Sequence, residues 1–316
     1  MKIDDTNAFL ALPLDPEMTR AMPRDDADLN RIVRPSLTYW QDAWIKLKKN
    51  RVAMLGLAII ALYVVLAIFA PIFSRHDFSA QNAKAMNQWP SAEHLFGTDQ
   101  AGRDLWVRNW MGARVSLFIG LIVVLINTII GCAVGGVSGY FGGRIDMVVM
   151  RLIDVLYGIP MIILAILMRT VMDSGIIPLV LAMVALGWIG SARLVRGQIL
   201  QLKSQEFVMA ARTLGVSDAK IIMRHMIPNI SGILITSMTM AIPQAIFTEA
   251  FLSFIGIGIK SPSCSWGSLA QTAIQVYRIQ PYQLLIPAFF ICTTMLSLNM
   301  LGDGLRDALD PRMKGR

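Results

Sequence analysis

Few residues of this chain could do chemistry, because Asp, Glu, Lys and Arg together make up only 16% of its 316 residues. Two carboxylates lie inside apolar segments, where an ionisable side chain is costly and is usually paired or functional. Asp154 lies one helical turn after Arg151, and this spacing predicts an internal ion pair. Glu249 lies six residues after Pro243 with no basic residue nearby in sequence. Glu249 either lines a passage, where it would attract the amino group of a substrate, or pairs with a partner subunit.

Metal, phosphate and catalytic sites are not predicted. The three histidines, His76, His94 and His225, show no ligand spacing and therefore indicate no metal site. Glycines recur in one segment, at positions 135, 136, 139, 142 and 143. Because no Gly-Lys-Ser/Thr occurs in the chain, these glycines predict close helix packing and a tight inner turn rather than a phosphate loop. No nucleophile–base pair is evident either, which argues against a membrane-embedded enzyme.

The elements that must position these residues are helices in lipid. Hydrophobic residues make up 55% of the chain and the mean hydropathy is +0.55, whereas a soluble domain carries about 25% charged residues. The net charge of +8 is typical of cytoplasmic loops rich in Lys and Arg, so no nucleic-acid partner is expected. Two of the three cysteines, Cys132 and Cys292, lie in apolar runs, so no disulfide is predicted.

The sequence predicts an all-α integral membrane protein with about six transmembrane helices, since about 20 apolar residues cross a bilayer core. The predicted spans lie near Val52–Phe73, Val115–Val137, Met147–Val171, Ile176–Leu194, Ile230–Ile259 and Leu284–Leu301. The fifth is too long for one perpendicular span, so a tilt or a kink at Pro243 is expected. An N-terminus inside the cell puts most Lys and Arg residues on the cytoplasmic side, so both termini are expected there.

Two segments precede the first transmembrane helix, which is predicted at residues 52–73. Residues 1–35 mix acidic and basic side chains with scattered prolines, which predicts a mobile, uncleaved cytoplasmic tail. In residues 36–51, Trp40 and Trp44 share a helical face beside lysines. This pattern predicts an N-terminal interfacial helix in the headgroup plane, although a plain juxtamembrane anchor fits it equally well.

The loop at residues 74–114 is predicted to be extracytoplasmic. Thr98 or Asp99 can cap a helix there that carries Leu105, Trp106 and Trp110 at the outer membrane interface. Gly102 is expected to allow a tight turn. A structural cap on the outer mouth is favoured over direct contact with a ligand.

The inner loop at residues 193–228 contains two helical signals. Ser204 can cap a first helix, in which Phe207, Ala211 and Leu214 share a face, and Gly215 can end that helix in the left-handed conformation. A second helix is expected to begin at Ser217 or Asp218 and to end at Pro228. The spacing alone is consistent either with a connector that packs on the bundle or with a knob that fits a partner's groove.

The residues of the first inner helix favour the knob. The run from Glu206 to Gly215, Glu-Phe-Val-Met-Ala-Ala-Arg-Thr-Leu-Gly, resembles the EAA loop of ABC importer permeases. The resemblance implies a coupling helix that docks into a cleft on an ATPase subunit. Its ATPase-coupling residues would be Glu206, Phe207, Met209, Ala210, Ala211, Leu214 and Gly215. Met209 stands where the motif has its Glu, so docking is expected to depend more on packing than on an ion pair.

Further motifs narrow the family. Structural-motif residues of the outer loop, and Asp154 in the third span, resemble the C-type permease of the oligopeptide, dipeptide and nickel importer family: Gly97, Thr98, Asp99, Gly102, Arg103, Asp104 and Asp154. The segments Gly139–Gly143 and Ser253–Gly258, and the closing Asp310-Pro311-Arg312, resemble the same family. Residues 115–316 are therefore predicted to form the transmembrane core of an ABC importer.

The resemblance implies a permease subunit without an ATPase of its own, in the bacterial cytoplasmic membrane. Its partners would be a second, B-type permease, two ATPase subunits that bind ATP and Mg, and an extracytoplasmic substrate-binding protein. No cofactor is expected in this chain, and short peptides are the expected cargo. The alternatives are import of nickel or a metal chelate and, from a different class, a stand-alone ion-coupled transporter. The latter would need facing carboxylates and inverted repeats, which the sequence lacks.

Overall fold

The computed structural model describes residues 38–309. The predicted tail at 1–35 and the Asp310-Pro311-Arg312 motif lie outside this range. Within it, the regular structure is helical apart from one antiparallel bridge between Thr98 and Asp104. These helices confirm the all-α class predicted from the sequence.

The first helix, α1, spans Tyr39–Lys49, in place of the predicted 36–51. It ends there because Asn50 is extended. The Asn50 side chain caps the next helix by accepting hydrogen bonds from the backbone N–H groups of Val52 and Ala53. In the first turn, the backbone N–H of Thr38 donates to the side chain of Gln41 at 3.0 Å. Further along α1, Leu47 is buried, whereas Trp44 is exposed and lies under the Lys48 ammonium.

Five helical stretches of the described chain are long and apolar enough to cross a membrane: α2 (Arg51–Phe73), α3 (Leu105–Phe141), α6 (Ile176–Leu202), the stretch Asp218–Phe254 and α11 (Tyr282–Leu309). The third predicted span does not form one continuous helix. Residues 147–171 are instead divided between α4 (Gly143–Tyr157) and α5 (Met161–Met172), which are bent by 79°. The break falls at Gly158-Ile159-Pro160, since a proline disfavours the helical conformation of the residue before it. The pair is either one broken span or a re-entrant loop.

The inner halves of α3 and α6 pack closely, as the glycine cluster predicts. A Cβ atom added to Gly135 would lie 2.3 Å from the carbonyl oxygen of Ala192, and one added to Gly131 would lie 2.4 Å from the side chain of Ser191. Gly142 ends α3 with a φ of +68°, so the predicted tight turn is also present. The glycines therefore set the distance between two spans.

The fifth predicted span ends earlier than expected. Helix α9 (Ser231–Phe254) contains Pro243 and ends five residues before Ile259. It ends because Gly256 adopts a φ of +82°, and Ile257 then donates a hydrogen bond back to the carbonyl of Leu252. A short helix, α10 (Trp266–Ala273), follows and begins with a capping box formed by two serines.

Candidate functional site

The inner loop forms an arm, residues 206–226, that begins later than the sequence suggests. Helix α6 continues to Leu202, so much of the predicted loop at 193–228 is helical extension of a span. Helix α7 then spans Glu206–Thr213, with Gln205 at its N-cap position. The predicted cap at Ser204 is wrong, because the Ser204 hydroxyl contacts the carbonyl of Gln201 at 3.4 Å.

Gly215 ends α7 as predicted. Its φ is +74°, and the backbone N–H of Val216 bonds to the carbonyl of Ala211 across the turn. A short helix, α8 (Asp218–Lys220), starts after Ser217 and widens into a π-helical segment, Ile221–Met226. The predicted stop at Pro228 is wrong. Pro228 begins a single 3-10 turn, where its missing N–H is tolerated, and this turn leads directly into α9.

Helix α7 has a buried face and an exposed apolar face. Val208 and Ala211 are buried in a cluster that includes residues of α6 and of the π-helical segment. Phe207, Ala210 and Leu214 lie on the other side at i, i+3 and i+7, and Leu214 is 82% exposed. The predicted face of Phe207, Ala211 and Leu214 is therefore wrong in one member, because Ala211 points toward the bundle.

We call the exposed row of Phe207, Ala210 and Leu214 the apolar stripe. Glu206 and Met209 are also exposed and lie beside it, one turn apart. An apolar row on a short, solvent-exposed helix is unusual unless a partner covers it. Ala210 is small, so a partner can approach the helix closely there. Phe207 and Leu214, on either side of Ala210, are large enough to fill a groove on that partner.

The arm is held by Tyr140 near the end of α3. Its hydroxyl donates to Asp218 Oδ1 at 2.5 Å and accepts from Arg212 Nε at 3.1 Å. The Arg212 guanidinium also lies over the Tyr140 ring, 4.7 Å from its centroid. One side chain of a membrane helix therefore contacts both α7 and the start of α8. The sequence identifies Gly139–Gly143 as a family motif, but it does not predict that Tyr140 binds Arg212 and Asp218.

Two ion pairs fasten the inner ends of the neighbouring helices. Asp146 binds Arg196 through two oxygens, at 2.5 and 2.6 Å, and accepts a third hydrogen bond from Ser138. Asp154 pairs with Arg193 at 2.9 Å. The predicted partner of Asp154, Arg151, is wrong, because the carboxylate reaches across to α6 instead of along its own helix.

Glu249 is fully buried within this chain. Its carboxyl accepts hydrogen bonds from Ser116 of α3 at 2.7 Å and from Ser253 of α9 at 2.8 Å, and it also interacts with the Ser265 hydroxyl. Ser116 in turn accepts a bond from the backbone N–H of Trp266 at 3.3 Å. The carboxyl therefore joins α3, α9 and the start of α10.

This burial argues against both predicted roles of Glu249. A side chain that lines a passage or pairs with another subunit must reach the surface of its own chain, and Glu249 does not. Gly267 explains part of the burial, since a Cβ there would lie 2.3 Å from the carbonyl of Ala250. The close approach of α10 to α9 leaves the carboxyl enclosed by serine hydroxyls.

The outer loop is a compact cap built around Asp99. Its Oδ1 accepts the backbone N–H groups of Ala101 and Arg103, and its Oδ2 accepts Arg103 Nε at 2.7 Å. The Arg103 guanidinium also donates to Ser261 at 2.7 Å, which ties this turn to the segment after α9. A second guanidinium, that of Arg108, lies 3.6 Å from Asp99 and donates to the carbonyl of Phe78.

The predicted helix cap at Thr98 or Asp99 is wrong. Asp104 caps α3, with its Oδ1 accepting the N–H of Val107 at 2.9 Å. Thr98 instead accepts the N–H of Gln88 and donates to the carbonyl of Ala85.

Two glycines make the turns of this cap possible. Gly97 and Gly102 have φ values of +73° and +71°, and a Cβ on Gly102 would lie 1.9 Å from the carbonyl of Asn82. The tight turn at Gly102 is confirmed. Trp110 is buried against Tyr63 and Phe290, contrary to its predicted place at the membrane interface.

The cap also gathers side chains that the sequence does not connect. One ligand atom each from His76, His94 and Asp104 lies within 4.8 Å of the others. The two imidazole rings are 4.6 Å apart, centroid to centroid. The sequence spacing does not indicate this cluster, because its residues come from irregular segments that only the fold brings together.

The cysteines are free, as predicted. Cys264 lies in the segment before α10, where its thiol contacts the carbonyl of Arg108 at 3.3 Å. Burial raises the pKa of this thiol, so it remains protonated at neutral pH.

Two family models match the chain. Residues 129–315 match the binding-protein-dependent transport system inner membrane component, and residues 38–90 match the N-terminal transmembrane domain of oligopeptide transport permease C. Together the two matches include α1, α2 and the inner arm.

Relatives whose names state a function match nearly the whole chain. The oligopeptide transport system permease protein OppC of Bacillus subtilis is 45% identical over 91% of this chain and 94% of its own length. The dipeptide transport system permease protein DppC of the same organism is 46% identical over 91% and 90%. The glutathione transport system permease protein GsiD of Escherichia coli is 38% identical over 92% and 98%.

Proposed function

Because this chain belongs to the family of binding-protein-dependent transport system inner membrane components, we propose that it forms half of the translocation pathway of an ABC importer for di- and oligopeptides. In this proposal α7 receives the motion of an ATPase subunit, and the chain itself binds neither ATP nor Mg. The observation that carries the proposal is the apolar stripe, an uncovered row on an arm that is firmly attached to a membrane helix.

The peptide cargo is inferred from the relatives. The cargoes in their names are oligopeptides, dipeptides and glutathione, all of which carry peptide bonds and charged amino and carboxylate groups. Nickel import is less well supported than peptide import by these names. A stand-alone ion-coupled transporter is not supported, because this family works with a binding protein.

The proposed partners follow from the family. A second permease would complete the pathway, two ATPase subunits would lie below the inner arm, and a substrate-binding protein would deliver peptide to the outer cap. The inner arm faces the cytoplasm in this arrangement, as the Lys- and Arg-rich segments favour. Both termini then lie on the cytoplasmic side of the inner membrane.

Helix α3 offers a direct route between the two ends of the protein. Tyr140 contacts the arm near the C-terminal end of α3, and Ser116 binds Glu249 nearer its N-terminal end. These two residues are separated by about 36 Å along a continuous helix, at about 1.5 Å per residue. Movement of α7 by a closing ATPase pair would therefore displace a rigid element that ends at the outer cap.

The test is to put a charge on the apolar stripe. Leu214→Asp should abolish peptide uptake and weaken association with the ATPase subunit, because burial of a leucine side chain is worth about 1.5–3 kcal/mol, or at least about tenfold in affinity. Folding should be spared, since Leu214 is 82% exposed. Uptake would be measured with a labelled dipeptide in vesicles, and association by co-purification.

Leu214→Met is the matched control, because it keeps an apolar side chain of similar volume and should retain uptake. If Leu214→Asp assembles with the ATPase and transports at the wild-type rate, α7 is not the contact and the proposal fails.

A further inference from the structure

The cluster of His76, His94 and Asp104 has no role in the proposed transport cycle. His76 lies three residues beyond the end of α2, His94 lies in the turn before Gly97, and Asp104 begins α3. One ligand atom from each lies within 4.8 Å of the other two. Two imidazoles and a carboxylate form a donor set that suits Zn²⁺ and related divalent metals.

The hydrogen bonds identify which nitrogens are available. His94 Nδ1 lies 2.8 Å from Asp104 Oδ2, and an ionised carboxylate only accepts, so this nitrogen carries the ring proton. His76 Nε2 lies 3.2 Å from the carbonyl oxygen of Glu93 and must donate to it. The His76 ring therefore has its free lone pair on Nδ1. An imidazole whose other N–H donates to a backbone carbonyl is the usual arrangement of a metal ligand.

Burial and access also fit a metal. The side chains of His94 and Asp104 are almost completely buried, whereas His76 is half-buried. A cavity of about 750 Å³ reaches His76 and Asp104 and is also lined by Arg75 and Glu93. Two carboxylates and one guanidinium give this lining a net negative charge, which favours a cation. The cavity leaves room for a fourth ligand from solvent.

We propose that His76, His94 and Asp104 bind one Zn²⁺ ion in the outer cap, with a water molecule from the cavity as the fourth ligand. The metal takes the place of the proton between His94 Nδ1 and Asp104 Oδ2, and His94 changes to the tautomer with its proton on Nε2. Ligands at about 2.0–2.2 Å from a tetrahedral ion lie about 3.3–3.6 Å from one another. Binding therefore requires the His94–Asp104 pair to open slightly and His76 to move inward.

Such an ion would link the segment after α2 to the first turn of α3. Asp104 Oδ1 would still cap α3 through Val107, because only Oδ2 faces His94. The site would stabilise the cap where a substrate-binding protein is expected to dock, independently of whether the cargo is a peptide.

The experiment uses Co²⁺ as a spectroscopic probe and Zn²⁺ as its competitor. The full-length chain would be co-purified with its partner subunits through a tag that contains no histidine. We expect the visible absorption of a tetrahedral Co²⁺ site, at one ion per chain, which added Zn²⁺ removes. His76→Ala should lose this band and weaken Zn²⁺ binding more than about tenfold.

His225→Ala is the matched control, since His225 lies in the inner arm far along the chain and is not part of the cluster. It should bind Co²⁺ as the wild type does. His94→Gln provides a second test of the ligand set. If this substitution of a buried histidine prevents folding, His76→Ala still tests the proposal, because His76 is only half-buried. The absence of a tetrahedral band in the wild type, or an unchanged band in His76→Ala, would overturn the proposal.

Discussion

Replacing Tyr140 with phenylalanine is expected to loosen the inner arm without removing it. The substitution deletes the hydroxyl that donates to Asp218 and accepts from Arg212. It keeps the aromatic ring, and so keeps the contact with the Arg212 guanidinium 4.7 Å from the ring centroid. The change therefore isolates two hydrogen bonds of the arm.

The magnitude follows from the charges of the two partners. A hydrogen bond to a charged group contributes about 1.5–3 kcal/mol, but Arg212 and Asp218 are both exposed and regain water when the hydroxyl is lost. We therefore expect a total cost of about 1.5–3 kcal/mol for both bonds together. Since about 1.4 kcal/mol is a factor of ten, the opening equilibrium of the arm should increase by about ten- to a hundredfold.

Hydrogen exchange measures this opening directly. Amides of residues 206–226 should exchange faster in Tyr140→Phe, while those of residues 176–199 should be unchanged. Peptide uptake per ATP hydrolysed should fall, because a loosened arm moves without displacing α3. Tyr157→Phe is the matched control: Tyr157 is exposed, its ring lies under Arg193, and phenylalanine keeps that contact.

Exchange at residues 206–226 within twofold of the wild type would refute this reasoning. It would mean that the arm is held by the burial of Val208 and Ala211 alone and that Tyr140 contributes no measurable restraint.

Two further predictions concern the outer half. Glu249→Ala should lower the free energy of unfolding by about 1–3 kcal/mol, because the buried hydroxyls of Ser116 and Ser253 lose their acceptor. Glu249→Gln keeps one acceptor oxygen and should lower it less. A loss of uptake in Glu249→Ala at unchanged stability would contradict this structural role and favour a role in the pathway. A cysteine at the exposed position Leu95 should react with an impermeant maleimide from outside right-side-out vesicles at pH 8, whereas Cys264 should not, because burial excludes the reagent and raises the pKa of its thiol. Labelling at position 95 only after permeabilisation would contradict the proposed orientation.

The helices could be predicted because their signals are local. The apolar run that forms α2 was located to the residue at its C-terminal end, Phe73. Gly215 was placed correctly at the end of α7, since the left-handed conformation is a property of one residue and its immediate neighbours. Hydropathy does not indicate the break at Gly158 and Pro160, because a run of apolar residues has the same hydropathy whether or not it bends.

Contacts between distant segments could not be predicted in the same way. Asp154 has a basic residue one turn away in sequence, yet it pairs with Arg193 of another helix. Glu249 looked like an isolated charge, and only the packing of α3, α9 and α10 supplies the hydroxyls that accommodate it.

The sequence by itself determined the membrane class, most of the spans and the helix–glycine–helix form of the inner arm, since apolar periodicity and backbone preferences act over a few residues. Only the tertiary structure decided which face of α7 is uncovered, because that depends on what Val208 packs against. It also decided which polar side chains meet. His76, His94 and Asp104 lie in irregular segments without a common period, so their distances are set by the whole fold of the cap and not by their spacing in the chain.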